Sequence, residues 1–264
     1  MKTLTDIANA LDDLSALTYN NSMKRIALLI GNSNGLEGVK KDLSAWKKFL
    51  LSPKGGAWKL EEIKTIMNPP KQELLHSIEK LKYKGYDLAI VVYSGHGGYD
   101  KSTILEINKR EETINETDLL CIAPRQISVF DCCRCLVRED EPINESQIAF
   151  STGAKLLDLQ KIRSTYNDRI LQAKRQQIRL YACSIDETAL DTPQGALYIQ
   201  ALLEQAQLFP NDEEFGTVEN IHDNAKKETC RRAAVQSHTQ HPSAVLPKCL
   251  SQQKLILSIN PERV

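Results

Sequence analysis

The amino-acid sequence predicts an α/β fold with a mostly parallel central sheet and helices on both of its faces. Three short apolar runs, RIALLIG at 25–31, DLAIVVY at 87–93 and QISVFD at 126–131, are typical of strands buried on both faces. Stretches with apolar side chains at helical spacing lie between these runs. Strands that alternate with helices along a chain favour a parallel sheet covered by those helices.

The other predicted elements continue this alternation. The segment at about 136–177 is polar and weakly patterned, which predicts an exposed linker in which 162–174 could hold a helix. The remaining predicted elements are strands at 61–67, 178–183 and 254–259, helices at 39–51, 71–83, 193–205 and 218–235, and a hairpin outside the sheet at 101–108.

The first 22 residues are expected to form a helical extension, followed by one domain over 23–264. Apolar side chains in 3–18 recur at a period close to 3.6, so this segment predicts an amphipathic helix that could recruit an activator or adaptor. Acidic residues interrupt it, whereas a secretory signal needs an unbroken apolar stretch. Since no apolar run approaches roughly 20 residues, we expect a cytoplasmic protein with no membrane partner.

Charge and cysteine content narrow the classes of function. Thirty-four basic residues balance thirty-four acidic ones, which disfavours nucleic-acid binding through global charge, although a local patch stays open. An odd count of seven cysteines predicts reduced thiols rather than a disulfide framework. Zinc is the alternative, but CxxC spacing is absent and Cys132, Cys133 and Cys135 are crowded, so we predict no metal site and no cofactor.

Two predicted strands end in residues that could carry chemistry, YSGHG at 93–97 and DCCR at 131–134. Sites in open parallel sheets form beyond the carboxyl ends of strands, so both ends face one crevice if the strands are neighbours. A thiol of ordinary pKa is mostly protonated at neutral pH, and an imidazole can take its proton and later protonate the leaving amine. The pattern predicts nucleophilic catalysis, with the Gly97 N–H group available to an oxyanion.

Simpler interpretations exist for each feature. A buried cysteine often only packs, and a single histidine is usually structural, but their occurrence together at two strand ends favours catalysis. The segment GNSNG at 31–35 also follows a strand, yet it matches neither GxGxxG nor GxxxxGK[ST]. Phosphate binding at this loop is therefore disfavoured.

These motifs resemble the histidine and cysteine motifs of the caspase, metacaspase and paracaspase clan of cysteine proteases. Residues 25–31 and 181–201 are similar to the clan's first strand and to the start of its small subunit, so the resemblance covers about 24–205. It implies a caspase–hemoglobinase fold. It also implies a large-subunit-like part at about 23–135, a linker at about 136–177 and a small-subunit-like part at about 178–264.

The resemblance implies a role for each motif residue. His96 would be the general acid and base, and Cys133 rather than Cys132 the nucleophile, because it stands two residues after the aspartate. Gly97 and Cys133 would supply the oxyanion donors. The resemblance further implies a protein or peptide substrate, a homodimer as one assembly, and a role in cell death or defence. Calcium activates some relatives, but no calcium loop is evident in this sequence.

Acidic residues predict which bond would be cut. Asp131 stands where caspases proper have Gln, and metacaspases and paracaspases have Asp, while Asp42 matches their second acid after the first strand. Two carboxylates favour a guanidinium, which they can hold by bidentate hydrogen bonds. We therefore expect cleavage after Arg, then Lys, with Asp186 as a third acid in the S1 pocket and Asp191 as its alternative. The simpler interpretations are an exposed helix residue for Asp42 and a strand-end cap for Asp131.

The sequence departs from the family patterns beside the nucleophile. Cys135 stands where caspases have Gly, and Arg134 matches the caspase and paracaspase form rather than the metacaspase form. Two alternatives stay open. One is an inactive homologue that acts as a dimerising scaffold, and the other is a thiol redox or metal protein built on Cys132, Cys133 and Cys135.

Overall fold

The computed structural model describes residues 23–136, 158–209 and 213–264. The predicted helical extension at 1–22 and half of the predicted linker, residues 137–157, lie outside these ranges. The strands are β1 (Arg25–Gly31), β2 (Ile63–Met67), β3 (Leu88–Ser94), β4 (Gly97–Asp100), β5 (Ser102–Glu106), β6 (Thr113–Asn115), β7 (Arg125–Asp131), β8 (Gln176–Tyr181), β9 (Phe215–Thr217), β10 (Ser243–Val245) and β11 (Ile256–Ile259). The helices are α1 (Val39–Leu51), α2 (Lys71–Lys82), α3 (Leu159–Gln172), α4 (Leu197–Gln205) and α5 (Val218–Val235).

A six-stranded sheet forms the centre of the fold, in the order β10-β8-β7-β3-β1-β2. All neighbouring pairs are parallel except β10 with β8, which is antiparallel. Every residue of β1 and β3 is buried, as the continuous apolar runs predict for strands covered on both faces. The predicted α/β class with a mostly parallel sheet is therefore confirmed.

The two faces of the sheet carry separate apolar clusters. Helices α1, α3 and α4 cover one face, where Trp46, Tyr166 and Tyr198 are fully buried. Helix α2 and the antiparallel sheet β4-β5-β6 cover the other face, with Leu74 and Leu105 in its cluster. The hairpin predicted at 101–108 is part of this small sheet, outside the central one. No helix in the described ranges is long and apolar enough to cross a membrane.

The end of the predicted linker is folded into the domain, and the helix that the sequence allowed at 162–174 is present. Residues 159–172 form helix α3, which buries Ile162, Tyr166 and Ile170 against the sheet. Asp158 caps this helix: its side chain accepts hydrogen bonds from the Gln160 and Lys161 N–H groups of the first turn. Arg163 adds an ion pair to Glu62 at 2.5 Å. Because β8 begins at Gln176, the chain returns to the core before the predicted boundary at 178.

Two further differences concern the second half of the chain. The helix predicted from Pro193 begins only at Leu197, and a turn closed by hydrogen bonds between Thr192 and Gly195 precedes it. The strand predicted at 254–259 is β11, which pairs with the short β9 in a separate two-stranded sheet. The edge strand β10 has only three residues, too few for its pattern to be seen in the sequence.

Candidate active site

The two chemistry-bearing strand ends are neighbours. Strands β3 and β7 pair in parallel, with Ser94 opposite Asp131. His96 and Cys133 each follow two residues later, so both leave the sheet at the same carboxyl edge. Both line one narrow cavity of about 40 Å³, whose wall also includes Ala189 from the loop after β8. The register of two buried strands thus brings the thiol and the imidazole to one site.

His96 is held by the loop that follows β1. Its Nε2 atom lies 2.5 Å from the carbonyl oxygen of Asn34. A carbonyl oxygen only accepts, so Nε2 carries a proton, and in the neutral ring Nδ1 is the nitrogen that can accept one. The main-chain carbonyl of His96 in turn accepts hydrogen bonds from the Tyr93 hydroxyl at 2.6 Å and the Glu106 N–H at 3.1 Å. Ring and backbone are therefore both oriented.

The two adjacent thiols have different surroundings. Cys133 is half-buried, with Sγ 3.9 Å from the carbonyl oxygen of Ala189, and burial raises the pKa of this thiol. Cys132 is buried in the apolar cluster beneath the small sheet, so close to Gly97 that a Cβ there would come within 2.7 Å of its sulfur. A thiol with a raised pKa needs a base to become a nucleophile, and Cys133 shares its cavity with one.

The N–H group of Gly97 faces the segment that follows the nucleophile. Glu106 N donates to the His96 carbonyl, so these two residues form a hydrogen-bonded pair of the β4–β5 ladder. In an antiparallel ladder, hydrogen-bonded pairs alternate with pairs that are not hydrogen-bonded to each other. The next pair, Gly97 with Leu105, is of the second kind, so its N–H groups point away from each other. Tyr99 N, two residues further along the same side, donates to the Cys135 carbonyl at 2.9 Å. This geometry suits an oxyanion donor.

Arg134 holds in place the segment that follows Cys133. Its buried guanidinium lies 4.0 Å from the centre of the Tyr181 ring and 5.3 Å from that of Tyr99. Its backbone N–H donates to the Glu187 carbonyl, and its carbonyl accepts from Asp186 N, both at 3.0 Å. The sequence analysis noted Arg134 only as part of a family motif. In the structure its backbone connects the segment after Cys133 to the loop after β8.

Three acidic side chains meet beneath the cavity. Asp131 is buried and its Oδ2 atom has no hydrogen-bond partner. Burial, followed by repulsion from the carboxylates of Asp42 and Asp191, raises the pKa of Asp131 well above its usual range. Asp191 also lines the cavity, and one of its oxygens accepts from Gly38 N at 3.1 Å. Such a cluster favours a cation.

Asp42 is buried rather than exposed on its helix. Its carboxylate accepts from the Ser94 hydroxyl at 2.6 Å and from Ala196 N at 2.9 Å. Burial is the main reason that the pKa of Asp42 is raised to about 8. Ala196, the residue directly before α4, supplies the second of these donors.

The prediction of Asp186 as the third acid needs correction. Asp186 is exposed and lies outside the cavity lining, on a turn with a positive φ of 65°. Its backbone N–H donates to the Arg134 carbonyl at 3.0 Å. The loop after β8 turns outward here and returns at Asp191, the alternative that the sequence left open.

Sequence reasoning missed what the GNSNG loop at 31–35 does. The sequence pattern suggested only phosphate binding for this loop. In the structure its Asn34 carbonyl contacts His96, and its Asn32 side chain is hydrogen-bonded to Glu106. A backbone carbonyl has no residue signature, so the only available signal was the polar, glycine-ended turn after a buried strand.

All seven cysteines are free, and Cys121 is the exposed one among them. Across the described residues, no group of three or more His, Cys, Asp or Glu side chains is arranged to hold a metal ion.

Comparison with known proteins agrees with this architecture. The caspase domain model matches residues 24–248, so the chain belongs to the caspase domain family, whose members are cysteine peptidases. The fold is similar to the crystal structure of caspase-1 from Spodoptera frugiperda, with a TM-score of 0.52 and 12% identity. That match covers 85% of this chain and 88% of the other and, at this identity, shows the fold alone. Comparison with curated protein sequences finds no significant match.

Proposed function

We propose that this chain is a cysteine endopeptidase that cleaves proteins after a basic residue, arginine before lysine. The observation that carries the proposal is the buried Asp131 oxygen without a partner, beneath a cavity whose wall holds Cys133 and His96. A buried unpaired acceptor is costly, so it favours a ligand that donates to it. A P1 guanidinium or ammonium group meets this need.

The chemistry would proceed through the cysteine–histidine pair. His96 Nδ1 takes the Cys133 proton while the thiolate attacks the scissile carbonyl carbon. The oxyanion that forms accepts from the N–H groups of Gly97 and Cys133. His96 then gives its proton to the departing amine, which leaves an acyl-enzyme thioester. Water, deprotonated by His96, hydrolyses the thioester and restores the thiol.

The acids support arginine over lysine. A guanidinium presents a planar fork of donors that can bond to Asp131 and to a second carboxylate at once, whereas an ammonium is a point charge. Asp191 lies on the same wall, close enough for its charge to act on the Asp131 carboxyl group.

The proposal is tested by cleavage of fluorogenic peptides that differ only at P1, with Arg, Lys or Asp, in the presence and absence of calcium. We expect Arg to be cleaved fastest and Cys133→Ala to abolish cleavage, while Cys121→Ala, the loss of an exposed thiol, serves as the matched control. Preference for P1 Asp would contradict the acidic pocket. Cleavage of no peptide under any condition would favour the inactive scaffold instead.

A further inference from the structure

A short loop after β1 controls the position of His96. Three consecutive residues, Asn32, Ser33 and Asn34, lead from the strand end to the carbonyl that His96 Nε2 contacts. Asn32 N donates to the Ser94 carbonyl at 3.0 Å, which ties the start of the loop to β3. Ser33 N donates to the side chain of Asn68 at 2.9 Å, which holds its middle.

The end of the loop is held by a buried amide. The Asn32 side chain has no exposed surface, and its Nδ2 donates both to the Glu106 carbonyl at 2.9 Å and to Glu106 Oε1 at 3.0 Å. Its Oδ1 accepts from Asn34 N at 3.2 Å. The Asn34 side chain also reaches Glu106 Oε1, at 3.5 Å. Both the nitrogen and the oxygen of the Asn32 amide are therefore hydrogen-bonded. The bond from its oxygen holds Asn34, whose carbonyl contacts His96.

This arrangement has a consequence for the reaction. Gly35 follows with a positive φ of 71°, a backbone conformation that glycine adopts without strain. The contact to the Asn34 carbonyl decides which nitrogen of His96 is protonated and strengthens when the ring becomes an imidazolium. If the carbonyl turns away, the ring can adopt the other tautomer and face Cys133 with a proton instead of a lone pair.

We propose that Asn32 and Glu106 are positioning residues that orient His96 through the Asn34 carbonyl. The inference rests on the proposed function, because it assigns these residues to the same cysteine–histidine pair. It predicts graded effects. Asn32→Ala removes all three hydrogen bonds of the Asn32 side chain, Glu106→Ala leaves the backbone acceptor in place, and Glu106→Gln keeps an oxygen that can accept from both asparagines.

The test measures alkylation of Cys133 by iodoacetamide across pH, followed by peptide mapping that distinguishes it from Cys132. This readout needs no cleavable substrate. We expect His96→Ala and Asn32→Ala to slow alkylation at neutral pH by on the order of tenfold or more, and to shift the profile toward that of an isolated buried thiol. Glu106→Ala should be intermediate and Glu106→Gln close to wild type. Ser102→Ala, which removes an exposed hydrogen bond of the same small sheet, is the matched control.

The outcomes separate the two proposals. If His96→Ala slows alkylation but Asn32→Ala and Glu106→Ala do not, the positioning role is overturned and the cysteine–histidine pair stands. If His96→Ala leaves the profile unchanged, both are overturned. Equal losses in Glu106→Gln and Glu106→Ala would show that charge, not the hydrogen-bonded brace, is responsible, and would also overturn the positioning role. Should Asn32→Ala fail to fold, the Glu106 pair decides alone, since that side chain is only partly buried.

Discussion

Asp42 and Asp131 are both buried and close enough to repel each other, but their hydrogen bonding differs. The carboxylate of Asp42 accepts from the Ser94 hydroxyl and from Ala196 N, whereas Asp131 keeps an oxygen with no partner. The hydrogen bonds of Asp42 thus connect parts of the fold, whereas the free oxygen of Asp131 is available to a bound ligand. This difference assigns separate expectations to the two residues.

Asp42 should make the unliganded protein less stable as pH rises. Its pKa is raised by burial to about 8, so the folded state holds a proton that the unfolded chain, with a pKa of about 3.9, has already released. The stability that this group contributes is complete below about pH 4 and is lost as pH rises toward 8, at up to about 1.4 kcal/mol per pH unit. Asp42→Asn should flatten the slope of unfolding free energy in urea between pH 5 and 8. A parallel slope in both proteins would argue against the raised pKa.

The acids should also determine P1 preference. Asp131→Asn removes the carboxyl group that a bound P1 guanidinium would hold in its ionised form, and loss of one charged hydrogen bond costs about 1.5–3 kcal/mol, or roughly 10- to 150-fold in kcat/KM for P1 Arg. Asp191→Asn should show a loss of the same kind. Asp186→Asn is the control at the exposed position and should leave kcat/KM within twofold of wild type. The reverse ranking of Asp191 and Asp186 would contradict the pocket described above.

The sequence predicted well those features that depend on local pattern. The continuous apolar runs of β1, β3 and β7 identified the buried strands, and the strand ends pointed to His96 and Cys133, which line one cavity. Helix α3 was harder because its buried residues are spaced among many polar ones, which cover the exposed side. The choice between Asp186 and Asp191 as the third acid could not be made from the sequence, because the path of the loop after β8 depends on contacts distant in sequence, such as that of Asp191 with Gly38.

Gly38 should be required for the acidic pocket although its own backbone is unstrained, with a φ of −69°. A Cβ at this position would lie 1.9 Å from Asp191 Oδ1 and 2.4 Å from the Thr192 carbonyl, so the acid and its loop would have to shift. We expect Gly38→Ala to lower kcat/KM for P1 Arg by on the order of tenfold or more. Gly85→Ala is the matched control: its positive φ of 65° should cost about 1–2 kcal/mol of stability, with open space around it and activity kept. Equal activity in the two variants would count against the prediction.

Arg134 should be irreplaceable even by lysine. A lysine keeps the charge but loses the flat face that lies over Tyr181 and the Nε donor that bonds Thr103 Oγ1 at 3.1 Å. Since the side chain is buried, an imperfectly bonded ammonium in its place should reduce the free energy of unfolding by about 2–3 kcal/mol. Thermal and urea unfolding of Arg134→Lys measure this loss, with Arg231→Lys, at an exposed ion pair, expected to change stability by less than about 1 kcal/mol. Because the backbone of Arg134 also joins the nucleophile's loop to Glu187, the same variant should expose Cys133 and Cys135 to faster alkylation than wild type. A loss of stability without that exposure would mean that the backbone bonds alone hold the loop, and that the stacked guanidinium serves only the core.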